Sequence, residues 1–447
     1  MKQLSMIRLS PGWSSGAVLQ HSTPQQLQGN AAPKQRLHIT LQCQHQCYQL
    51  NTHADELGVF SVEIAAQPPS GPWTLCISDE ASNNIRLNDL WFGLRLICAG
   101  QSNIGWPLRH YPAQLADIRE QLFASSTQTL VRAYLTDAYD PVQPADYRNA
   151  GNWQALTAEQ CADWPALLCH FSQSYQPSDT TPLMLGLVDI SWPGSAIDAW
   201  TEASVPASSA WQPGALFAAR LAPWLQQPFS ALLWYQGEQD AMGKEAACYA
   251  DKLQHWLFRC RRYAGWDFPL LLVQIAGFGK PGLPNLQHGF VQIRQAQQQF
   301  AASTPNCVLV SAADLGAVQD IHAPLKAELA RRLALQLHAM MQADDSSTLL
   351  PLQAKLHQLT TTVAVLRLPD GVHWPLIQPI EGFFADCPPK GWQAVPARYT
   401  ADQQHIEITL PPAAQTLCYG MAAQPALTLY NADGLPLLPG IWPLQSS

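Results

Sequence analysis

The sequence predicts an α/β fold with a doubly wound parallel sheet, flanked by β-rich segments at both ends. The central part alternates apolar runs of strand length with amphipathic helical patterns, as parallel sheets covered on both faces do. With 447 residues, the chain also exceeds the size of one compact core. We predict an N-terminal β-rich domain at 1–88, a central α/β domain at 89–345 and a C-terminal β-rich segment at 346–447.

The two terminal segments are predicted from the alternation of apolar and polar residues, which is typical of half-buried strands. This alternation is clear at 58–64 near the N-terminus, and at 362–368 and 405–410 near the C-terminus. Whether the two segments pack together stays open.

The central domain is predicted from buried strands with helices between them. Pro324 should start one of the helices, because proline is favoured in the first turn. Residues 140–180 are rich in Pro, Asp, Asn and Gln and predict a long loop. The predicted strands are 94–99, 183–190, 231–235, 270–275 and 307–311.

Composition and charge exclude several classes of protein. A net charge of -8 without any basic run argues against nucleic-acid binding, and no apolar stretch is long enough to cross a membrane. The first eight residues lack the apolar core of a signal peptide, which predicts a cytoplasmic location, or a periplasmic one if a leader was trimmed. The 11 scattered cysteines, an odd number, predict reduced thiols rather than a disulfide framework.

The first candidate functional block follows the strand at 94–99 and reads Gly100-Gln101-Ser102-Asn103. Gly100 allows a tight turn, so Ser102 should lie at the carboxyl end of the strand, where α/β sheets bind ligands. A Ser-Asn helix cap is the structural alternative at this position.

Three further blocks follow predicted strands, and together they could supply ester hydrolysis. This chemistry needs a hydroxyl nucleophile, a base that takes its proton, and donors for the developing oxyanion. Ser102, His322, and the Gly194 N–H with the Gln236 carboxamide could fill these roles. The blocks are Ser191-Trp192-Pro193-Gly194, Trp234-Tyr235-Gln236-Gly237-Glu238 and Asp320-Ile321-His322.

These four blocks, in this order, resemble the signature blocks of the sialate O-acetylesterases, which belong to the SGNH hydrolase superfamily. Val18-Leu19-Gln20, Glu381-Gly382-Phe383-Phe384 and the stretch 429–436 also resemble family sequences, so the resemblance covers nearly the whole chain. It implies an SGNH-type, flavodoxin-like three-layer sheet with flanking β-sandwich-like segments. The absence of a Gly-x-Ser-x-Gly motif disfavours the α/β-hydrolase fold.

The resemblance implies a serine esterase that removes O-acetyl groups from sialic acid without a metal or an organic cofactor. Its substrate would be an O-acetylated small molecule or oligosaccharide. Carried over, Ser102 is the nucleophile and His322 the general base. The oxyanion hole would consist of the Ser102 and Gly194 N–H groups and the Gln236 side chain.

The sequence departs from the family pattern at three places. The family usually places an aspartate three residues before its histidine, where this chain has Gln319. Asp320, Asp314, the Gln319 amide or a backbone carbonyl could orient the imidazole instead, and the sequence leaves these alternatives open. The other departures are Pro193 in place of glycine and Ile104-Gly105 in place of Met-Glu, which changes the wall of the pocket.

Two other functions remain compatible with the sequence. One is an acetyl esterase that acts on xylan or another acetylated glycan. The other is a carbohydrate-binding protein whose hydrolase domain is impaired by the missing acid. Only an enzyme should be labelled at Ser102 by an organophosphonate.

Overall fold

The computed structural model describes residues 7–80, 83–124, 130–136, 151–175, 183–201, 213–243, 245–342, 352–376 and 379–444. The chain divides into two compact units. The first contains Met1–Trp234 and His255–Pro269, and the second contains Tyr235–Gln254 and Leu270–Ser447. The three predicted domains stay a prediction, and the two units are described separately below.

The first unit is organised around one strand of 17 residues, β8, whose second half is buried on both faces. The helices of this unit are α1 (Ser102–Gly105), α2 (Pro112–Ala124), α3 (Ala166–Ser174) and α4 (Ala222–Leu225). Its strands are β1 (Arg8–Leu9), β2 (Val18–Gln20), β3 (Gln25–Asn30), β4 (Arg36–Cys43), β5 (Gln46–His53), β6 (Val59–Ile64), β7 (Ser70–Asp79), β8 (Asn84–Gly100), β9 (Val131–Thr136), β10 (Gly151–Ala155), β11 (Leu185–Asp189) and β12 (Ala231–Tyr235), the last residue of which falls in the second unit.

Strand β8 pairs differently along its length. Its first half pairs antiparallel with β7, and its second half pairs parallel with β11, so that Leu185 lies opposite Leu94 and Asp189 opposite Cys98. The strand order in this unit is β10-β9-β11-β8-β12. The predicted strands at 94–99, 183–190 and 231–235 are present, but the sheet is mixed, because β7 and β10 pair antiparallel with their neighbours.

The predicted loop at 140–180 was wrong for its described part. Residues 151–155 form β10, which pairs antiparallel with β9, and α3 follows from Ala166. This helix forms because Leu167, Leu168 and Phe171 bury an apolar face despite the polar residues around them. Residues 140–150 and 176–180 lie outside the described residues.

In its described residues, the second unit contains a pair of parallel strands, several helices and two antiparallel sheets. The parallel pair is β13 (Leu270–Gln274) with β14 (Cys307–Ser311). The helices are α5 (Glu238–Met242), α6 (Tyr249–Ala264, shared with the first unit), α7 (Gly289–Ser303) and α8 (Lys326–Gln342). The remaining strands are β15 (Lys355–Leu359), β16 (Val363–Arg367), β17 (Phe383–Asp386), β18 (Trp392–Ala394), β19 (Ala397–Tyr399), β20 (His405–Thr409), β21 (Thr416–Tyr419) and β22 (Gly440–Pro443).

The C-terminal strands form two four-stranded sheets, ordered β15-β16-β20-β19 and β18-β17-β21-β22. Leu366, Trp374 and Phe383 lie in one buried apolar cluster. The alternation predicted at 362–368 and 405–410 corresponds to β16 and β20.

Helix α8 begins at Lys326, later than the predicted start at Pro324. The Lys326 N–H donates to the Pro324 carbonyl at 3.0 Å, so the residues before the helix form a turn. As a result Leu325 is exposed, whereas Leu329 and Leu333, which follow it at intervals of four residues, are buried.

The predicted fold class is confirmed: a large mixed α/β sheet is accompanied by antiparallel β-sheets. None of the 11 cysteines is disulfide-bonded. Among the described residues, no helix combines the length and the apolar character needed to span a bilayer.

Arg95 connects the second half of β8 to two other segments of the first unit through hydrogen bonds. Its side chain is 1% exposed, and its guanidinium donates to the Pro228 carbonyl and, at 3.1 Å, to the Gln227 amide oxygen. Its backbone N–H donates to the Gln20 side chain at 3.0 Å. Burial lowers the pKa of Arg95 to about 9, which leaves it charged at neutral pH.

We predict that Arg95→Met destabilises the first unit by about 1–3 kcal/mol, because the Pro228 and Gln227 acceptors lose a charged donor in a buried place. The measurement is the midpoint of urea unfolding. Arg86→Met is the matched control, since Arg86 lies on the same strand with an exposed side chain. Equal midpoints for the two variants would contradict the prediction.

Candidate active site

Ser102 lies at the carboxyl end of β8, as predicted. The strand ends at Gly100, whose φ of 136° is a conformation that favours glycine, and Ser102 is then the first residue of α1. The residue at the cap position is Gln101, which makes no capping hydrogen bond with its side chain. The interpretation of Ser102 as a helix cap therefore does not hold, and its buried side chain needs another explanation.

The loop that carries Gly194 lies beside this turn. Beyond β11, the Ile190 N–H donates to the Cys98 carbonyl at 3.0 Å, and the Trp192 N–H donates to the Gly100 carbonyl at 2.9 Å. The loop then turns back through Gly194, which has a φ of 66°. The first unit thus brings together the Ser102 turn and the segment of the predicted oxyanion donor.

Pro193 does not remove the predicted donor. Proline has no N–H, but the N–H in question belongs to Gly194. A Cβ added at Gly194 would meet nothing within 4 Å, so the backbone here borders open space. The departure at Pro193 is therefore compatible with the predicted role of Gly194.

A buried ionic group supports this loop, and no sequence pattern predicted it. The Arg220 guanidinium donates to Thr136 Oγ1 at 2.9 Å and to the Ser191 carbonyl at 3.3 Å, and lies 4.5 Å from the Trp192 ring centroid. Asp189 accepts the Ser191 N–H at 3.0 Å. Burial raises the pKa of Asp189, and the Ser191 hydrogen bonds and the Arg220 charge oppose that rise.

Gly105, the third departure, is explained by the same group. A Cβ at this position would lie 2.4 Å from Ser191 Oγ and 3.5 Å from Asp189 Oδ2. A glutamate here would have to displace Ser191. The position of the Ser191 loop therefore requires a glycine at 105.

The second unit fixes the Gln236 side chain from both ends of its amide. Gln236 Nε2 donates to Asp240 Oδ2 at 2.5 Å, and Oε1 accepts the Tyr249 hydroxyl at 3.0 Å. Gln297 donates to the Gln236 carbonyl at 3.0 Å. The bond to Asp240 uses one of the two N–H bonds of the amide, and it sets the plane in which the other points.

His322 and Asp320 lie together on the loop between β14 and α8. Asp320 Oδ1 is 3.1 Å from His322 Nδ1 and also accepts the His322 backbone N–H at 2.8 Å. The contact implies a proton on Nδ1, which leaves Nε2 as the basic nitrogen. The imidazole side chain is 16% exposed, and the Asp320 side chain is 60% exposed.

The other candidates for the orienting acid are placed elsewhere. Asp314 accepts two hydrogen bonds of 2.7 Å from the Arg332 guanidinium and another of 3.0 Å from the Tyr430 hydroxyl. Gln319 is exposed. The structure thus brings Asp320, rather than Asp314, to the imidazole.

Sequence reasoning also missed Lys326, a lysine that is 1% exposed in the first turn of α8. A lysine at a helix start is ordinarily solvated, so no pattern signalled its burial. Over the described ranges of the chain, no group of three or more His, Cys, Asp or Glu side chains is arranged to hold a metal ion.

Comparison with known families agrees with this arrangement of blocks. The family model for carbohydrate esterases described as sialic acid-specific acetylesterases matches residues 138–341. This chain resembles that family, as its sequence predicted. The matched region contains Gly194, Gln236 and His322, and Ser102 precedes it. The protein is a carboxylic ester hydrolase, and the match supports O-deacetylation of carbohydrates.

Solved structures extend the similarity of fold to the whole chain. A carbohydrate acetylesterase from Xanthomonas citri superposes with a TM-score of 0.84 at 23% identity, covering 98% of this chain and 99% of its own. A protein from Arabidopsis thaliana has a TM-score of 0.37 at 17% identity, covering 55% of this chain and 98% of its own. NanS has a TM-score of 0.32 at 16% identity, covering 50% and 79%. No curated protein sequence matches this chain significantly.

We predict that Tyr249→Phe lowers kcat about fivefold, because Gln236 loses the hydroxyl that fixes its amide, at about 1 kcal/mol for the bond. The measurement is steady-state acetate release. Tyr263→Phe is the control, since Tyr263 lies on the same helix and its hydroxyl accepts a hydrogen bond from the Gln226 side chain instead. An unchanged kcat in Tyr249→Phe would remove the role assigned to the amide.

Proposed function

We propose that this protein is a sialate O-acetylesterase, a serine esterase that removes O-acetyl groups from sialic acid through an acetyl-enzyme intermediate. The observation that carries the proposal is the contact of Asp320 with His322 Nδ1 at 3.1 Å. It supplies the acid that the family pattern places at position 319. It also favours an active hydrolase over the binding protein with an impaired hydrolase domain.

In the proposed mechanism, His322 Nε2 takes the Ser102 hydroxyl proton as the oxygen attacks the acetyl carbonyl. The negative charge that develops on the carbonyl oxygen is stabilised by the Ser102 and Gly194 N–H groups and by the Gln236 amide. His322 returns the proton to the departing sugar oxygen, which leaves acetyl on Ser102. Water then attacks with His322 as base, and acetate is released.

Asp320 has two roles in this mechanism. Its hydrogen bond holds the proton on Nδ1, so that Nε2 faces the reaction as a base. Its negative charge stabilises the imidazolium that forms in each half of the cycle. A neutral glutamine could accept the Nδ1 proton through its amide oxygen, but it could not supply the negative charge.

The sialic acid specificity rests on the family match over residues 138–341. A second candidate is an acetyl esterase for xylan or another acetylated glycan. It is favoured by the fold shared over the whole chain with a carbohydrate acetylesterase, and by Gly105, which alters the pocket wall relative to the family pattern.

We predict that Asp320→Asn lowers kcat about 10²- to 10⁴-fold, because an amide cannot stabilise the imidazolium and can hold the wrong tautomer. Gln319→Ala is the matched control, being the neighbouring residue with an exposed side chain. We expect it to retain nearly full activity in the same acetate-release assay. A larger loss in Gln319→Ala than in Asp320→Asn would reverse the assignment of the two residues.

We predict that acetate release from O-acetylated sialic acid disappears in Ser102→Ala, since the variant lacks the nucleophile. The assay compares this substrate with acetylated xylo-oligosaccharide. A fluorophosphonate probe should label Ser102 in the wild type and leave the variant unlabelled, as peptide mass spectrometry would detect.

The outcomes separate the candidate functions. Release from the xylo-oligosaccharide alone would keep the mechanism and replace the substrate. A folded protein that releases acetate from neither substrate, and stays unlabelled while it binds glycans, would favour the carbohydrate-binding function.

A further inference from the structure

Arg220 connects three parts of the first unit through one buried guanidinium group. It lies in a short π-helical stretch, Phe217–Leu221, and is only 4% exposed. Its guanidinium donates to Thr136 Oγ1 at 2.9 Å and to the Ser191 carbonyl at 3.3 Å, and it lies 4.5 Å from the centroid of the Trp192 ring. Turns of π-helix are rare and occur frequently at functional sites. The side chain thus joins the end of β9 to the loop that follows β11.

These contacts depend on the shape of the guanidinium as well as on its charge. The group is planar, so it can stack on an aromatic ring while the N–H groups at its edge donate hydrogen bonds. Burial lowers the pKa of Arg220 to about 10, which leaves the group charged at neutral pH. A lysine ammonium would keep the charge, but it lacks the plane that makes both kinds of contact at once.

The residues after this contact form a type II turn from Trp192 to Ser195. The Ser195 N–H donates to the Trp192 carbonyl at 3.3 Å, and Gly194, the second central residue, has a φ of 66°. Pro193, the first central residue, has its φ fixed at about −65° by its ring, as this turn requires. The ψ of the first central residue differs by about 150° between type I and type II turns, which reverses the direction of the next N–H. The orientation of the Pro193–Gly194 peptide group therefore decides where the Gly194 N–H points.

The peptide group that leads into the turn is held at both of its ends. It joins Ser191 to Trp192, and its N–H donates to the Gly100 carbonyl at 2.9 Å, at the end of the nucleophile strand. Its carbonyl accepts the hydrogen bond from Arg220. A peptide group held only at its N–H can tilt, and the tilt would pass to the turn that follows.

The exit of the turn is held independently of Arg220. The Ser195 hydroxyl donates to the Trp192 carbonyl at 2.8 Å and accepts a hydrogen bond from the Trp200 indole at 2.9 Å. Both Ser195 and Trp200 are fully buried. Loss of the Arg220 contacts should therefore shift the turn without unfolding it.

We propose that Arg220 is a positioning residue of the oxyanion hole: its contacts with Ser191 and Trp192 set the direction in which the turn presents the Gly194 N–H. This inference rests on the proposed function, in which that N–H stabilises the oxyanion. The competing role is purely structural, in which Arg220 stabilises the first unit without affecting the chemistry.

The test compares Arg220→Lys with Arg95→Lys in the full-length chain. Arg95 is the matched control, because it is likewise buried in the first unit, donates to the Pro228 carbonyl and lies 5.9 Å from the centroid of the Trp224 ring. We expect Arg220→Lys to lower kcat for acetate release about 10- to 100-fold with little change in KM, because the misdirected donor acts on the oxyanion of the transition state. Arg95→Lys should keep the wild-type kcat at a temperature at which both variants are folded.

The rate of Ser102 labelling by a fluorophosphonate provides the second readout, because the phosphonyl oxygen takes the place of the oxyanion. This rate should fall in Arg220→Lys by a factor similar to that of kcat and stay unchanged in Arg95→Lys. Equal kcat values in the two variants would overturn the proposal and leave Arg220 a structural role. A lower kcat without slower labelling would also overturn it, since the donor would then still point at the oxyanion.

Thr136→Val decides the question if Arg220→Lys does not fold. This variant keeps Arg220 and removes one acceptor that orients its guanidinium. We expect kcat and the labelling rate to fall about threefold with KM unchanged, as for the loss of one hydrogen bond. Wild-type values of both rates in a folded Thr136→Val would overturn the proposal.

Ser102→Ala distinguishes this inference from the function on which it rests. If Ser102→Ala keeps wild-type acetate release, the proposed function is wrong, and there is no oxyanion for the turn to stabilise. If Ser102→Ala is inactive while Arg220→Lys is as fast as wild type, the esterase mechanism stands and only the role of Arg220 is overturned.

Discussion

The first unit depends on the backbone hydrogen bonding of β8. A strand buried on both faces has no water to satisfy its N–H and C=O groups, so neighbouring strands must supply every partner. For β8 these partners are β7 over its first half, β2 near its middle, and β11 and β12 over its second half. The hydrogen bonding continues beyond the end of β11, where the Trp192 N–H donates to the Gly100 carbonyl at the last residue of β8, and thereby fixes the Gly194 loop next to Ser102. The nucleophile turn and the oxyanion segment are consequently extensions of the sheet.

The second unit solves a different problem, which is to keep polar groups in a fixed orientation without water. Tyr249 and Asp240 leave the Gln236 side-chain amide little freedom to rotate, and Gln297 donates to the backbone carbonyl of the same residue. Such groups stabilise a transition state well because they are already oriented before the charge appears. The free-energy cost of orienting these groups is offset during folding by a dense hydrogen-bond network. In the sequence, this network is visible only as scattered Gln, Asp and Tyr residues.

Much of the fold could be predicted because buried strands leave a strong local pattern. The runs at 231–235 and 307–311 coincide with β12 and β14, since both are apolar and short. Strand β9 escaped prediction because Arg132 interrupts its apolar run. The structure shows why this is tolerated: Arg132 pairs with Asp89 at 2.6 Å, a partner far away in the sequence. The late start of α8 likewise depends on a turn at Pro324 that residue preferences alone do not reveal.

The site could be predicted only where a motif names the residue. Ser102, Gly194, Gln236 and His322 were predicted from ordered blocks, and the structure places them at strand ends or on the loops that follow. The residue that orients the imidazole could not be predicted, because the contact between Asp320 and His322 depends on loop dihedral angles that sequence spacing does not give. Lys326 and Arg220 were missed because their burial depends on carboxylates and aromatic rings contributed by other elements.

The spacing of Asp320 and His322 has a consequence for how this loop can vary. One carboxylate oxygen accepts both the backbone and the ring N–H of a residue two positions later, so the tripeptide Asp320-Ile321-His322 closes on itself. The tautomer of the histidine is then encoded in three consecutive residues and does not require an acid delivered from elsewhere in the fold. Residue 319 then has no catalytic role to fill, so a solvent-exposed glutamine is compatible with the mechanism. A short loop of this kind is a self-contained unit that insertions on either side would leave intact.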